Sequence, residues 1–173
     1  RILGEGWIGD DIESLAYNSL PAAYSPDLTN MTYFQAQNQV MLTHGNHDFD
    51  CDHTDDIAFG AYSGYECCFP NGHMGWPKFV QSMWMGTNDN GLAVVAYGPN
   101  TVTAKVADGK TAVFDQTTSY PFDETVTLTY NGETAAFPLK LRIPGWCSNA
   151  SIKLNGKVVT GDVVNGYLTL DRT

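Results

Sequence analysis

The sequence predicts a mixed α and β protein, helical in its first half and an antiparallel β-sandwich in its second. Three observations lead there. Apolar residues recur at three- and four-residue steps from Asp10 to Leu20 and again from Trp76 to Met85. After Gly86 the chain becomes a series of short runs rich in Val, Thr, Leu and aromatic residues. Pairs such as Asp108-Gly109, Asn131-Gly132, Asn155-Gly156 and Asn165-Gly166 separate those runs, as turns with positive φ do. The change of texture near Gly86 divides the chain into 1–86 and 87–173.

The first helix carries Ile12, Leu15, Ala16, Ser19 and Leu20 on one face. Asp10 or Asp11 can cap it, and acidic residues in its first turn suit the helix dipole. Pro21 ends it, because the proline ring opposes the preceding turn. A long polar stretch from Tyr24 to Gly64 follows, and a loop of that length is expected to have a function of its own. Within it, the run from Tyr33 to Gln39 reads either as a short strand lining a pocket or as a surface loop. The second helix covers Trp76 to Met85, with Pro77 in its first turn and a stripe of Phe79, Val80, Met83 and Trp84. Seven strands are expected beyond it: 91–97, 101–106, 111–115, 125–130, 136–143, 151–154 and 167–170. Short strands at this spacing argue for a sandwich.

The chain has 173 residues, 43% of them hydrophobic and 12% aromatic, enough for a packed core. Nine basic residues face nineteen acidic ones, a formal charge of −10, which argues against nucleic acid and anionic membrane as partners. A neutral polar ligand such as a sugar is compatible with that balance. Polar residues break every apolar stretch short of a membrane span. The chain opens at Arg1 with no charged-then-apolar leader, and reads as an excised or processed piece. Asn30-Met31-Thr32 and Asn149-Ala150-Ser151 are sequons. Cys51, Cys67, Cys68 and Cys147 are too few to form a disulfide scaffold.

Cys67 and Cys68 are the most informative residues. Neighbouring cysteines rarely bridge each other, because a disulfide wants Cα atoms about 5.5 Å apart and a trans peptide sets them at ~3.8 Å. The pair can bind a metal, do nucleophilic chemistry or sit reduced in a core. Two cysteines are half of a four-ligand structural zinc site. The stretch from His44 to Asp56, with His47, Cys51 and His53 among several carboxylates, is a second metal candidate, or else a solvated acidic loop. His73 reads as a ligand, a sugar contact or a capping residue. Glu66 could serve as ligand or general acid/base, but adjacent residues on an extended chain point opposite ways, which turns it from Cys67. Trp7, Trp76, Trp84 and Trp146 offer flat faces for sugar stacking or bulk for a core.

Several runs together resemble the bacterial β-L-arabinofuranosidase-like glycoside hydrolases, family 127 (DUF1680) and its relatives. They are Asp11-Ile12-Glu13-Ser14-Leu15 through Ala22, Tyr33 with Asn38-Gln39, and Glu66-Cys67-Cys68 with Asn71 and Gly75-Trp76-Pro77-Lys78-Phe79. The resemblance continues through Tyr97-Gly98-Pro99, Thr118-Ser119-Tyr120-Pro121-Phe122, Leu141-Arg142-Ile143-Pro144-Gly145-Trp146 and Asn155-Gly156. It implies that 1–86 is the tail of an (α/α)6 barrel and 87–173 an incomplete β-sandwich. It implies a retaining enzyme that releases L-arabinofuranose or a related sugar from plant-type glycans. By the same resemblance Cys67 is the zinc-bound nucleophile and Cys68 a second zinc ligand, while His73, Trp76 and Tyr33 are candidate substrate contacts by residue type and position. The family's remaining zinc ligands and its general acid/base lie upstream of Arg1, so this piece is expected to be inactive alone, with the rest of the barrel possible as a second chain. A periplasmic or secreted location is expected, with the cytoplasm as the alternative. The rival reading is a non-catalytic carbohydrate-binding or interaction sandwich. A third makes the His44–Asp56 stretch an unrelated metal site.

Overall fold

A computed structural model of the chain describes residues 4–33, 58–60 and 68–172. The described chain is mixed α and β with mostly strands. It forms two compact groups, residues 1–13 with 80–173, and residues 14–79.

Helix α1 (Gly6–Ser14) runs into a π-helical turn (Leu15–Ser19) and a last short turn, α2 (Leu20–Ala22). The helix therefore begins four residues before Asp10, and neither Asp10 nor Asp11 caps it. Its inward face also differs from the apolar stripe expected of it. Glu13 and Ala16 are buried, whereas Ile12 and Leu15 are 38% and 59% exposed. Pro21 sits inside the helical run instead of ending it. The wider turn just before it explains this. The Leu20 N–H bonds the Leu15 carbonyl in the π pattern, which loosens the turn that a proline ring would otherwise meet.

Two more short helices follow, α3 (Cys68–Gly72) and α4 (Gly75–Val80). Pro77 lies in the first turn of α4, where a missing N–H leaves no bond unmade. The helix stops at Val80, five residues short of the expected end at Met85. Trp84 begins a strand instead, because its indole belongs to the β core.

The strands are β1 (Trp84–Gly86), β2 (Leu92–Val94), β3 (Asn100–Val106), β4 (Lys110–Thr118), β5 (Val126–Tyr130), β6 (Phe137–Arg142), β7 (Ile152–Leu154), β8 (Lys157–Val159), β9 (Val163–Val164) and β10 (Tyr167–Arg172). They form a five-stranded sheet in the order β1-β2-β6-β10-β9, a three-stranded sheet β3-β4-β5 and the hairpin β7-β8. β1 escaped the sequence reading because it falls in and just after the expected second helix, and β8 and β9 because they are only three and two residues long. β2 pairs parallel with β6 and is buried at all three positions, as a central strand covered on both faces should be. β4 alternates, with Ala112, Phe114 and Gln116 turned inward.

The five- and three-stranded sheets share a core. Leu92, Val106, Ala112 and Phe114 form its centre, with Trp84, Leu128 and Phe137 packed around them. The Trp84 ring stacks on Phe114 at 5.3 Å, and its Nε1 donates to Asn100 Oδ1 at 2.8 Å. A second cluster, Val94, Leu141, Leu168 and Leu170, fills the other part of the larger sheet.

Two of the expected Asn-Gly turns have both residues at positive φ: Asn155 and Gly156 at 50° and 81°, Asn165 and Gly166 at 51° and 80°. Each closes a two-residue hairpin loop, between Leu154 and Lys157 and between Val164 and Tyr167. The Asn131-Gly132 pair has no positive φ. The Asn165-Gly166 turn has a second duty. The Gly6 N–H donates to the Asn165 carbonyl at 2.8 Å, and a Cβ on Gly166 would lie 2.9 Å from the Gly6 Cα. This close approach seats the start of α1 on the larger sheet.

Replacing Gly166 by Ala therefore adds a clash to an unfavourable φ. A loss of about 1–3 kcal/mol is expected in urea unfolding. Gly86→Ala, at a position with nothing within 4 Å and no positive φ, is expected to change stability by less than about 1 kcal/mol.

Candidate functional site

The helical group holds the residues marked by the sequence. Cys68 is the first residue of α3 and half-buried. His73 is exposed in the turn between α3 and α4, where the Met74 N–H bonds the Asn71 carbonyl at 3.0 Å. Gly72, just before it, packs on Tyr24 so closely that a Cβ would fall 1.8 Å from the Tyr24 hydroxyl oxygen. Trp76 is on α4, 37% exposed, with its ring 6.1 Å from Tyr17 and 6.2 Å from Phe79. Tyr17 and Phe79 meet edge-on at 5.4 Å. Trp76 thus has one part in an aromatic cluster and another in solvent, the usual posture of a ring that packs and also offers a face. Tyr33 is half-buried beside a small antiparallel arrangement in which Met31 bridges Tyr24 and Gly60. Cys67, Glu66 and the stretch from His44 to Asp56 lie outside the described residues.

Among the described residues no group of three His, Cys, Asp or Glu side chains is placed to hold a metal ion. Of the two cysteines that the resemblance assigns to zinc, only Cys68 is described. The described residues therefore do not by themselves make up a zinc site.

The β group contains a polar cluster that the sequence reading missed. Arg142, at the end of β6, is fully buried. Its Nη1 pairs with Asp10 and its Nη2 with Glu13, the latter as an ion pair off the hydrogen-bonding angle. Its Nε donates to the Val95 carbonyl. Both carboxylates come from α1, one turn apart, so the inward face of that helix is acidic by need. Gly9 directly precedes Asp10 on the helix, and a Cβ there would fall 2.6 Å from the Arg142 Cδ. The glycine makes the space in which the guanidinium sits.

Each carboxylate also holds a loop. Asp10 Oδ2 accepts from the Gly145 N–H at 3.0 Å. Glu13 accepts from the Tyr97 N–H at 3.3 Å and from the Tyr120 hydroxyl at 2.8 Å. Tyr97 donates its hydroxyl to the Arg142 carbonyl, and its ring lies 5.7 Å from the guanidinium carbon, within cation–π range. Burial pushes the Tyr97 phenol well above its ordinary value, against the opposing pull of Arg142. Burial raises Tyr167 in the same way.

A signal for this cluster was present in the sequence. A lone Arg between Leu141 and Ile143 in a strand must find partners if the strand is buried. The paired acids on one helix face were read instead as a cap.

Comparison with known proteins gives the class. Residues 91–173 match the family model described as the middle domain of GH127 β-L-arabinofuranosidases. Among solved structures, a glycoside hydrolase superposes with a TM-score of 0.78 at 26% identity, over 99% of this chain and 28% of its own. A GH127 β-L-arabinofuranosidase from Geobacillus stearothermophilus T6 gives 0.77 at 26% identity, over 97% of this chain and 26% of its own. A GH127 β-arabinofuranosidase at 23% identity shares the fold, with a TM-score of 0.74 over 99% of this chain and 27% of its own. No curated protein matches the chain. The resemblance read from the sequence is matched by these findings: the chain is similar to glycoside hydrolase family 127 over residues 91–173 and, in fold, over nearly its whole length. It spans about a quarter of the length of the solved chains that it matches.

Breaking the Arg142 cluster is expected to cost about 3–5 kcal/mol, because Arg142→Met strands carboxylates that have left water. Urea unfolding measures this. The tyrosines set a separate expectation. A phenol whose folded value is raised binds its proton more tightly in the folded state, so its contribution is intact below about pH 10. It is lost as pH rises from there through the folded value. Stability should fall above about pH 10, and Tyr97→Phe should flatten that slope while lowering stability at neutral pH through the lost hydrogen bond.

Proposed function

We propose that this chain is part of a retaining glycoside hydrolase that releases L-arabinofuranose or a related sugar from plant-type glycans. The observation that carries the reading is the joint match: the family model on the strands, and solved glycoside hydrolase structures, one of them a GH127 enzyme, over nearly the whole chain. In this reading residues 1–86 are the tail of an (α/α)6 barrel, and 87–173 belong to a β-sandwich.

Cys67 is the nucleophile. Its thiolate sulfur attacks the anomeric carbon, the glycosidic bond breaks, and a general acid protonates the departing oxygen. Water then displaces the sulfur from the glycosyl thioether, which restores the thiolate and retains the anomeric configuration. Thiolate suits a first step of this kind, because sulfur is strongly nucleophilic once ionised. Zinc belongs to the same reading, with Cys67 and Cys68 as two of its ligands. The other donors and the general acid/base would come from the part of the relatives' length that this chain does not span. His73, Trp76 and Tyr33 are the proposed sugar contacts. Export to the periplasm or the medium would bring such an enzyme to its substrate.

The test is hydrolysis of an aryl β-L-arabinofuranoside by the full-length protein and its Cys67→Ser variant. A fall of at least about a thousandfold with an unchanged fold is expected, and residues 1–173 alone are expected to give no turnover. Turnover unaffected by Cys67→Ser would overturn the nucleophile. Metal analysis is a second check, with zinc expected in the parent and lost in Cys68→Ala.

A further inference from the structure

Four tryptophans are candidates for sugar stacking, of which Trp7 is 58% exposed on α1. Trp84 is in the core on Phe114. Trp76 belongs to the helical group. Trp146 is 60% exposed in the turn after β6, and Phe122 is 95% exposed in the turn after β4. The rings of Tyr120 and Trp146 are nearly parallel, 17° apart, with centroids 6.5 Å apart. They form one nearly parallel aromatic pair.

This surface is held from beneath. The Tyr120 hydroxyl is fixed by Glu13 and the Trp146 turn by Asp10 through the Gly145 N–H, and both acids pair with Arg142. Within each turn the backbone closes on itself, Phe122 N–H to Ser119 at 2.9 Å and Cys147 N–H to Pro144 at 2.9 Å. The ion cluster thereby ties both aromatic turns to the same helix.

We propose that Trp146 and Tyr120, with Phe122, are a platform for a neutral glycan chain. Flat apolar rings suit the C–H faces of a sugar, and exposed Ser119, Asp123 and Ser148 in the same turns supply partners for its hydroxyls. The charge of −10 favours an uncharged ligand over an anionic one. The choice of a glycan rests on the proposed function above. Rigid rings lose little freedom on binding, which is what makes such a surface effective.

The experiment is affinity electrophoresis of the full-length protein in gels containing soluble arabinan. Retardation of the parent is expected, with an affinity at least about tenfold weaker for Trp146→Ala. Trp146→Phe, which keeps a ring, is expected to stay within about threefold of the parent. Val158→Ala, a change at an equally exposed apolar residue (65%), should bind as the parent does. No retardation of the parent, or full retardation of Trp146→Ala, would overturn the platform. So would sedimentation showing a dimer that Trp146→Ala dissociates without a change in sugar affinity, since the patch would then belong to a second copy. Failure of the hydrolase reading is separable, because Cys67→Ser should leave binding intact.

Discussion

The β group depends on one buried guanidinium. Arg142 ends β6 with no solvent contact and meets two carboxylates that α1 presents one turn apart. A buried charge is tolerable only when paired and hydrogen-bonded. That requirement explains features that otherwise look like poor design. Glu13 faces inward while Ile12 and Leu15 face out. Gly9 is a glycine because the Arg142 side chain occupies the place of its Cβ. The residues at 97, 120 and 145 converge on the same acids from three different loops. Replacing the cluster with apolar side chains could give equal stability, but would not fix those loops relative to the helix.

The strands of the second half were legible because the signals were local. Positive-φ pairs at Asn155-Gly156 and Asn165-Gly166 made hairpins where they should, and alternation in β4 was plain. Asn131-Gly132 had the composition of such a turn without its backbone. The helical boundaries were less legible because distant contacts overrode local pattern. Trp84 continues the apolar stripe of a helix on paper, yet its stacking on Phe114 and its bond to Asn100 draw it into a strand. Pro21 signals a stop that a π turn cancels. The family was legible from motifs in order along the chain. The Arg142 cluster was not, since its members are separated by more than 120 residues.

Two kinds of surface thus carry the proposed functions. One is the short-helix segment holding Cys68, His73 and Trp76, where the proposed chemistry depends on partners beyond this chain. The other is the pair of aromatic turns, which is complete within the β group. Their architectures fit their roles. Short helices with glycines at close approaches can place a thiol beside a turn. A lattice of strands braced by an ion cluster can present rings without yielding.

The most direct test of the Arg142 account is amide hydrogen exchange at Tyr97 and Gly145, compared between the parent and Arg142→Lys. Lysine keeps the charge but cannot span both carboxylates as the planar fork does. If the guanidinium holds both acids in place, the two amides should lose protection together, although they lie in different loops. Protection unchanged at both, or lost at one alone, would contradict the claim that a single buried cation organises this part of the fold.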